Sequence, residues 1–202
     1  MKGNPQTASE WLAYSAALVN LTAFFVYGFY IVKGRVKRPV FASLLIWAVE
    51  SILALITFEH IANDWLKVAV AFADSLGCVA IFLLSYQRGA FEKPDQLDIV
   101  VIVVDMATIV IWSCCKSGDL IVYVIIQAAS AISVIPTCRN AWKDPKSEKL
   151  LPWVLWTSSF LVSGVVVLMR WNGAADMLYP AVHAAMWFLV TVILVTRTKR
   201  NN

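Results

Sequence analysis

Charge is scarce in this chain. Only 15% of its 202 residues are Asp, Glu, Lys or Arg, while 60% are hydrophobic, against roughly 25% charged in soluble domains. Long polar segments are missing as well. Seven stretches, near 11–32, 39–58, 68–87, 99–115, 120–138, 150–169 and 177–196, are almost free of Lys and Arg. Each is close to the roughly 20 residues that carry a helix across a ~30 Å hydrocarbon core. The short connections leave no room for a soluble domain, so whatever the chain does is expected to happen within the bilayer. The first stretch is too long for a signal-peptide core and lacks a basic leader and small-residue cleavage site, so it is read as a true span.

Histidine is scarce too, with two in the chain. Only His183 lies deep in a span, and no His-x-x-x-His or Glu-x-x-His pattern occurs. Asp74 and His183 alone fall short of the ligands that zinc needs. Catalysis, a metal and a cofactor are therefore not expected. The last span holds no lysine for a retinal Schiff base, which argues against a light sensor; a seven-helix receptor or channel is the remaining rival class. The four cysteines, Cys78, Cys114, Cys115 and Cys138, fall in or at the ends of spans. They read as small packing residues rather than a disulfide framework.

The few basic residues are unevenly placed. Lys33, Arg35, Lys37 and Arg38 follow the first span, Arg88 and Lys93 the third, Arg139, Lys143, Lys146 and Lys149 the fifth, and Arg197, Lys199 and Arg200 the last. Only Lys2, Lys67, Lys116 and Arg170 remain for the other side. Short basic loops stay cytoplasmic, which predicts an outside N-terminus and a cytoplasmic C-terminus. The net charge of +4 follows from this bias and implies no nucleic-acid partner. The expected surroundings are a lipid bilayer, taken as the plasma (inner) membrane, with a small-molecule solute as ligand and homo-oligomerisation allowed.

Sliding the chain by 109 residues without a gap lays spans one to three over spans five to seven. Tyr14 falls on Tyr123, Lys37 on Lys146, Trp47 on Trp156, Asn63 on Asn172 and Arg88 on Arg197. A three-helix unit ends on the opposite side from its start, so a second unit in the same orientation needs one extra crossing, which the fourth span supplies. The expected architecture is an all-α membrane protein of seven helices in a 3+1+3 arrangement: residues 1–88 as the first bundle, 89–117 as the linker and 118–202 as the second. Parallel repeats of this kind place a solute site near the midplane between the halves.

The same offset pairs Asp74 with His183. Polar side chains in hydrocarbon are costly and face a cavity or a partner, so these two are expected to face one another across the pseudo-axis, with Trp47 and Trp156 deeper in the same cavity. Glu50 shares a helix face with Trp47 and reads either as a second pocket acid or as a protonated carboxyl bonded to a neighbouring helix. Asn20 and Gln127 reach the cavity or join helices, as amides do in membranes. Asp105 is expected to make a structural hydrogen bond outside the pathway, and Glu59 and His60 to be solvated.

The stretch "SVIPTCRNAWKDPKSE" resembles the PQ-loop signature of the SWEET sugar transporters and lysosomal PQ-loop transporters. Pro136 matches the motif proline and Lys146-Ser147 the loop pair, while Thr137 stands where the glutamine should be. The resemblance implies alternating access between two bundles, with a hinge at Pro136 and Tyr27 at the equivalent gating position of the first repeat; the plainer alternative is that Pro136 terminates its helix. It also implies a pocket of two tryptophans and two asparagines, whose matching positions here are Trp47, Trp156, Asp74 and His183. The amide pair has become an acid and a base, which shifts the implied solute from a neutral sugar toward a cationic or heteroaromatic one, or adds proton coupling. Trp153-Val154-Leu155-Trp156 is also similar to the Trp-x-x-Trp of PnuC-type vitamin transporters, which implies a ring vitamin as the alternative solute. Trp153 itself is read as an anchor at the membrane boundary.

Overall fold

Seven helical stretches among the described residues are long and apolar enough to cross a membrane. The computed structural model describes residues 5–36, 41–88, 93–115 and 120–200; Lys2, Lys37, Arg38, Pro39 and Lys116 lie outside them. No strand occurs among the described residues. The helices are α1 (Pro5–Val32), α2 (Phe41–Ala62), α3 (Trp65–Gln87), α4 (Gln96–Cys114), α5 (Leu120–Ser133), α6 (Ile135–Lys143), α7 (Leu150–Met169) and α8 (Ala174–Arg200), with α5 and α6 forming one span.

Local chemistry sets the ends. Gly34 adopts a φ of 62° after α1, its N–H bonds to the Ile31 carbonyl, and Arg35 N–H bonds to that of Tyr30. This is the Schellman closure that a left-handed glycine permits. Asn63 takes a φ of 45° between α2 and α3, and Asp64 then caps α3 by accepting from Leu66 N–H at 3.0 Å. Asp95 and Asp98 form a reciprocal capping box at the start of α4. Asp95 also meets Arg139 of α6 at 2.6 Å, and that guanidinium holds its carboxyl down at about 2.

The helices run beyond several of the expected limits. α1 begins at Pro5 and α8 covers Ala174–Arg200, because apolar composition marks the hydrocarbon while hydrogen bonding carries a helix on into the headgroups. The fifth span shows a correction. Pro136 does not terminate its helix: the break falls at Val134, Pro136 sits in the first turn of α6, and the chain stays helical to Lys143. A proline is tolerated there because the first-turn N–H has no intrahelical partner to lose.

α3 packs against both α1 and α2, and α8 against α5, α6 and α7. Between these groups α1 packs on α7, and α2 on α5. α4 lies against α2 and α5. The core holds small residues such as Ala13, Ala16 and Ala23 of α1 beside large aromatics such as Trp153, Tyr123 and Phe160, a pattern that lets backbones approach closely in a membrane.

Candidate functional site

Helix α8 presents Asp176, Tyr179, His183 and Trp187 at spacings of three and four, so they line one face. Each meets a different layer. At the outermost level Asp176 receives Lys67 Nζ of α3 at 2.5 Å, with both side chains buried. Beside it Arg170 Nε donates to Asp64 Oδ2 at 2.6 Å. Thus the two described basic residues on the sparsely charged side are both neutralised. A vestibule of about 380 Å³, lined in part by Asp64, Arg170 and Asn172, opens next to this pair.

One turn further in, the rings of Phe58 and Tyr179 stack with centroids 4.9 Å apart, and Tyr123 stacks on Phe58 at 6.1 Å. Pro180 lies inside α8 here: it has no N–H for the Asp176 carbonyl four residues back. The neighbouring Tyr179 N–H donates to the Tyr123 hydroxyl of α5 at 3.0 Å.

Below this layer Trp47, Glu50, Asp74 and His183 line a single cavity, together with Ser130, Ser133 and others. The structure therefore brings together four of the residues singled out by sequence. His183 packs against the rings of Phe160, at 5.0 Å, and Tyr179, at 4.2 Å, which also meet each other at 5.7 Å. Its Nδ1 is 3.0 Å from the Tyr179 carbonyl. A carbonyl only accepts, so Nδ1 carries the proton and Nε2 is the free acceptor of the neutral ring. Asn20 of α1 lies beside Asp74, and the Glu50 carboxyl lies against Ser133 and against Asp105 of α4. Asp105 is fully buried, lies against Glu50 and lines neither small cavity. Glu59 and His60 are exposed, as expected. Gln127 is buried on α5 but belongs to the lining of neither small cavity.

The tryptophan layer comes next. Trp47 and Trp156 do not simply face each other: Trp187 stands against both, with its ring centroid 5.8 Å from each. Phe24, Tyr27, Trp47, Trp156, Trp187 and Cys78 share a second, apolar cavity, with Trp47, Trp187 and Cys78 common to both. Trp187 escaped the sequence reading, although it lies one turn after His183 and falls on Cys78 at the same 109-residue offset. Trp153 is a correction: it is wholly buried, 5.1 Å from Trp156 and 5.5 Å from Trp187, so it is no boundary anchor. Its Nε1 donates to Glu148 Oε2 at 3.3 Å. Tyr27 lies against the same carboxyl, and burial under these rings pushes Glu148 up to about 8.

The polar cavity measures about 30 Å³ and the apolar one about 20 Å³. That is room for a water or two, against ~300–1,000 Å³ in sites that hold drug-sized ligands. Among the lining residues, Asp74 Oδ1, Glu50 Oε1 and the indole nitrogens of Trp156 and Trp187 are buried with no hydrogen-bond partner among the described residues; Asn20, whose two amide atoms are also unpartnered, lines neither cavity. Each such atom costs about 1–3 kcal/mol unless the cavity supplies a partner. Among the described residues no cluster of three or more metal-ligating side chains occurs. No family model, curated protein or solved structure matches the chain.

Proposed function

We propose that the protein is a transporter of a small polar solute, working by alternating access between two three-helix bundles, α1–α3 and α5–α8, joined by α4. The observation that carries this reading is a buried polar cavity lined by α2, α3, α5 and α8, at a level where pairs of residues related by the 109-residue offset come together. Asp74 and His183 are one such pair, Cys78 and Trp187 a second, and Lys67 and Asp176 a third. The interface contacts follow the same exchange, since α1 on α7 and α5 on α2 are each a first helix of one unit against a second helix of the other. This supports the 3+1+3 plan and, with it, the SWEET and PQ-loop resemblance.

The chemistry of the wall favours a donor-rich or cationic solute. Asp74 and Glu50 supply acceptors, His183 Nε2 another, and the indole faces of Trp47, Trp156 and Trp187 attract rings and cations. Amines and amino acids fit these groups better than a neutral sugar does. The Asp74 and His183 pair also suits proton exchange with the solute. In the cycle, release of Lys67 from Asp176 opens the cavity on one side, and separation of Tyr27 from Trp153, Trp156 and Glu148 opens it on the other.

A ring vitamin is the alternative solute, favoured by the burial of both Trp153 and Trp156 in the aromatic layer. Thermal melting of the purified chain with sugars, amines and amino acids, and ring vitamins, at about pH 5.5 and 7.5, distinguishes these classes, because a ligand of the folded state raises its melting temperature. An amine-dependent rise that Trp187→Ala abolishes supports the first reading. A rise with ring vitamins alone selects the second.

A further inference from the structure

On the outer flank of the first bundle, α1 and α3 enclose a groove of about 490 Å³, walled by apolar residues that include Leu21, Phe25, Gly28, Leu76 and Leu84. Two glycines create its shape. A Cβ on Gly28 would press on Ile81 and Leu84 at 3.2 and 3.3 Å, and one on Gly77 would fall within the ring of Phe24. Phe25 is 77% exposed at the rim, so the groove opens toward lipid rather than toward the pathway. Along α1 it runs from Leu21 to Val32, about 16 Å at 1.5 Å per residue. That is half of the ~30 Å core, the depth of one leaflet.

The end of the groove is cationic. Val32 lines it, and the Val32 carbonyl accepts from Arg88 Nη1 at 3.3 Å. Lys33 Nζ lies 5.7 Å from the centre of the Phe29 ring, another lining residue, and exposed Arg35 follows. A slot of leaflet depth beneath a cluster of exposed cations matches a molecule that is apolar along its length and anionic at one end.

We propose that this groove holds an acyl chain of an anionic phospholipid from the leaflet on the basic side, with the phosphate paired by Lys33, Arg35 and Arg88. That side is the one the positive-inside distribution assigns to the cytoplasm, where anionic lipids are concentrated. A second copy of the chain fits less well. A two-fold contact along this groove would set the same patch against itself and bring the two sets of cations together. In a bilayer an apolar groove alone gains little from an apolar chain, because surrounding lipid is equally apolar. Selectivity therefore resides in the cations.

The test is native mass spectrometry of the full chain released from vesicles of equal phosphatidylglycerol and phosphatidylcholine. The expected result is retention of phosphatidylglycerol over phosphatidylcholine, undiminished by excess inorganic phosphate or glycerophosphoglycerol. Lys33→Gln with Arg35→Gln reduces that preference by about fivefold per cation. Ala80→Trp, which fills the groove, abolishes retention; Phe25→Ala, which removes its rim without adding bulk, weakens it and stands in should Ala80→Trp fail to fold. Equal retention of the two lipids overturns the proposal. So does retention that depends on the cations but survives both groove variants, which would make the site surface electrostatics. Cross-linking of Leu84→Cys between copies, with no lipid retained, would assign the groove to a dimer.

Discussion

Lys67 and Asp176 are 109 residues apart in the chain and 2.5 Å apart in space, the same separation that relates Asp74 to His183. Both side chains are buried, so the pair ties α3 to α8. Removing one partner strands a buried charge. Lys67→Met or Asp176→Leu alone is expected to destabilise the fold by about 3–5 kcal/mol, whereas the double replacement is close to neutral. Thermal melting of the three variants checks this; equal loss in single and double variants would contradict it.

Asp64 performs two tasks, capping α3 and holding Arg170. Asparagine keeps the cap but loses the charge. Asp64→Asn should therefore be more stable than Asp64→Ala by about 1 kcal/mol, measured by thermal melting.

Tyr123 and Pro180 form the weak point of α8. Tyr123→Phe leaves the buried Tyr179 N–H without its hydroxyl acceptor and should cost about 1–3 kcal/mol. Pro180→Ala restores an N–H for the Asp176 carbonyl and should raise the melting temperature while slowing solute uptake, because it stiffens the segment between the outer ion pair and the cavity. Faster uptake in Pro180→Ala would remove Pro180 from the mechanism.

Glu148 makes stability depend on pH. Its carboxyl keeps a proton up to about pH 8 in the folded chain, against an ordinary value of 4.5. The folded state therefore binds more protons than the unfolded state between these limits, and stability falls as pH rises through them. The contribution is fully present below about pH 4.5 and lost above about pH 8. Melting temperatures from pH 5 to 9 should show this decline, and Glu148→Gln should flatten it.

Proton exchange at Asp74 and His183, as proposed, makes solute uptake depend on pH. Asp74→Asn with His183→Asn restores two amides at equivalent positions and should keep the fold while weakening the pH dependence of uptake into vesicles. An unchanged profile would exclude proton exchange at this pair.

Much of this arrangement is legible in the chain. Hydrophobic run length finds the spans, and the gap-free offset finds Asp74, His183 and Trp47, which do line one space, whereas Trp156, expected with them, lines only the neighbouring apolar cavity. The ion pair escaped because Lys67 and Asp176 each fall just before an expected span, 68–87 and 177–196, where a charge carries no signal of burial. Trp187 was hidden because an indole opposite Cys78 gives neither an identity nor a polar pair. Trp153 was misplaced because depth was counted along its own helix, whereas its burial comes from Glu148 in the preceding loop and Tyr27 on a distant helix. Pro136 marks a real break, but where it falls depends on the turn before it, and no single residue type encodes that.

Cys78 offers the most direct test of the central claim, since it is a free thiol that lines both small cavities. With Cys114, Cys115 and Cys138 replaced by serine, the chain would be sealed into vesicles and exposed to a charged, membrane-impermeant maleimide from one side and then the other. Alternating access predicts labelling of Cys78 from both sides, with Lys67→Met plus Asp176→Leu raising the rate from the Asp176 side. Labelling from one side only, or from neither, would contradict it.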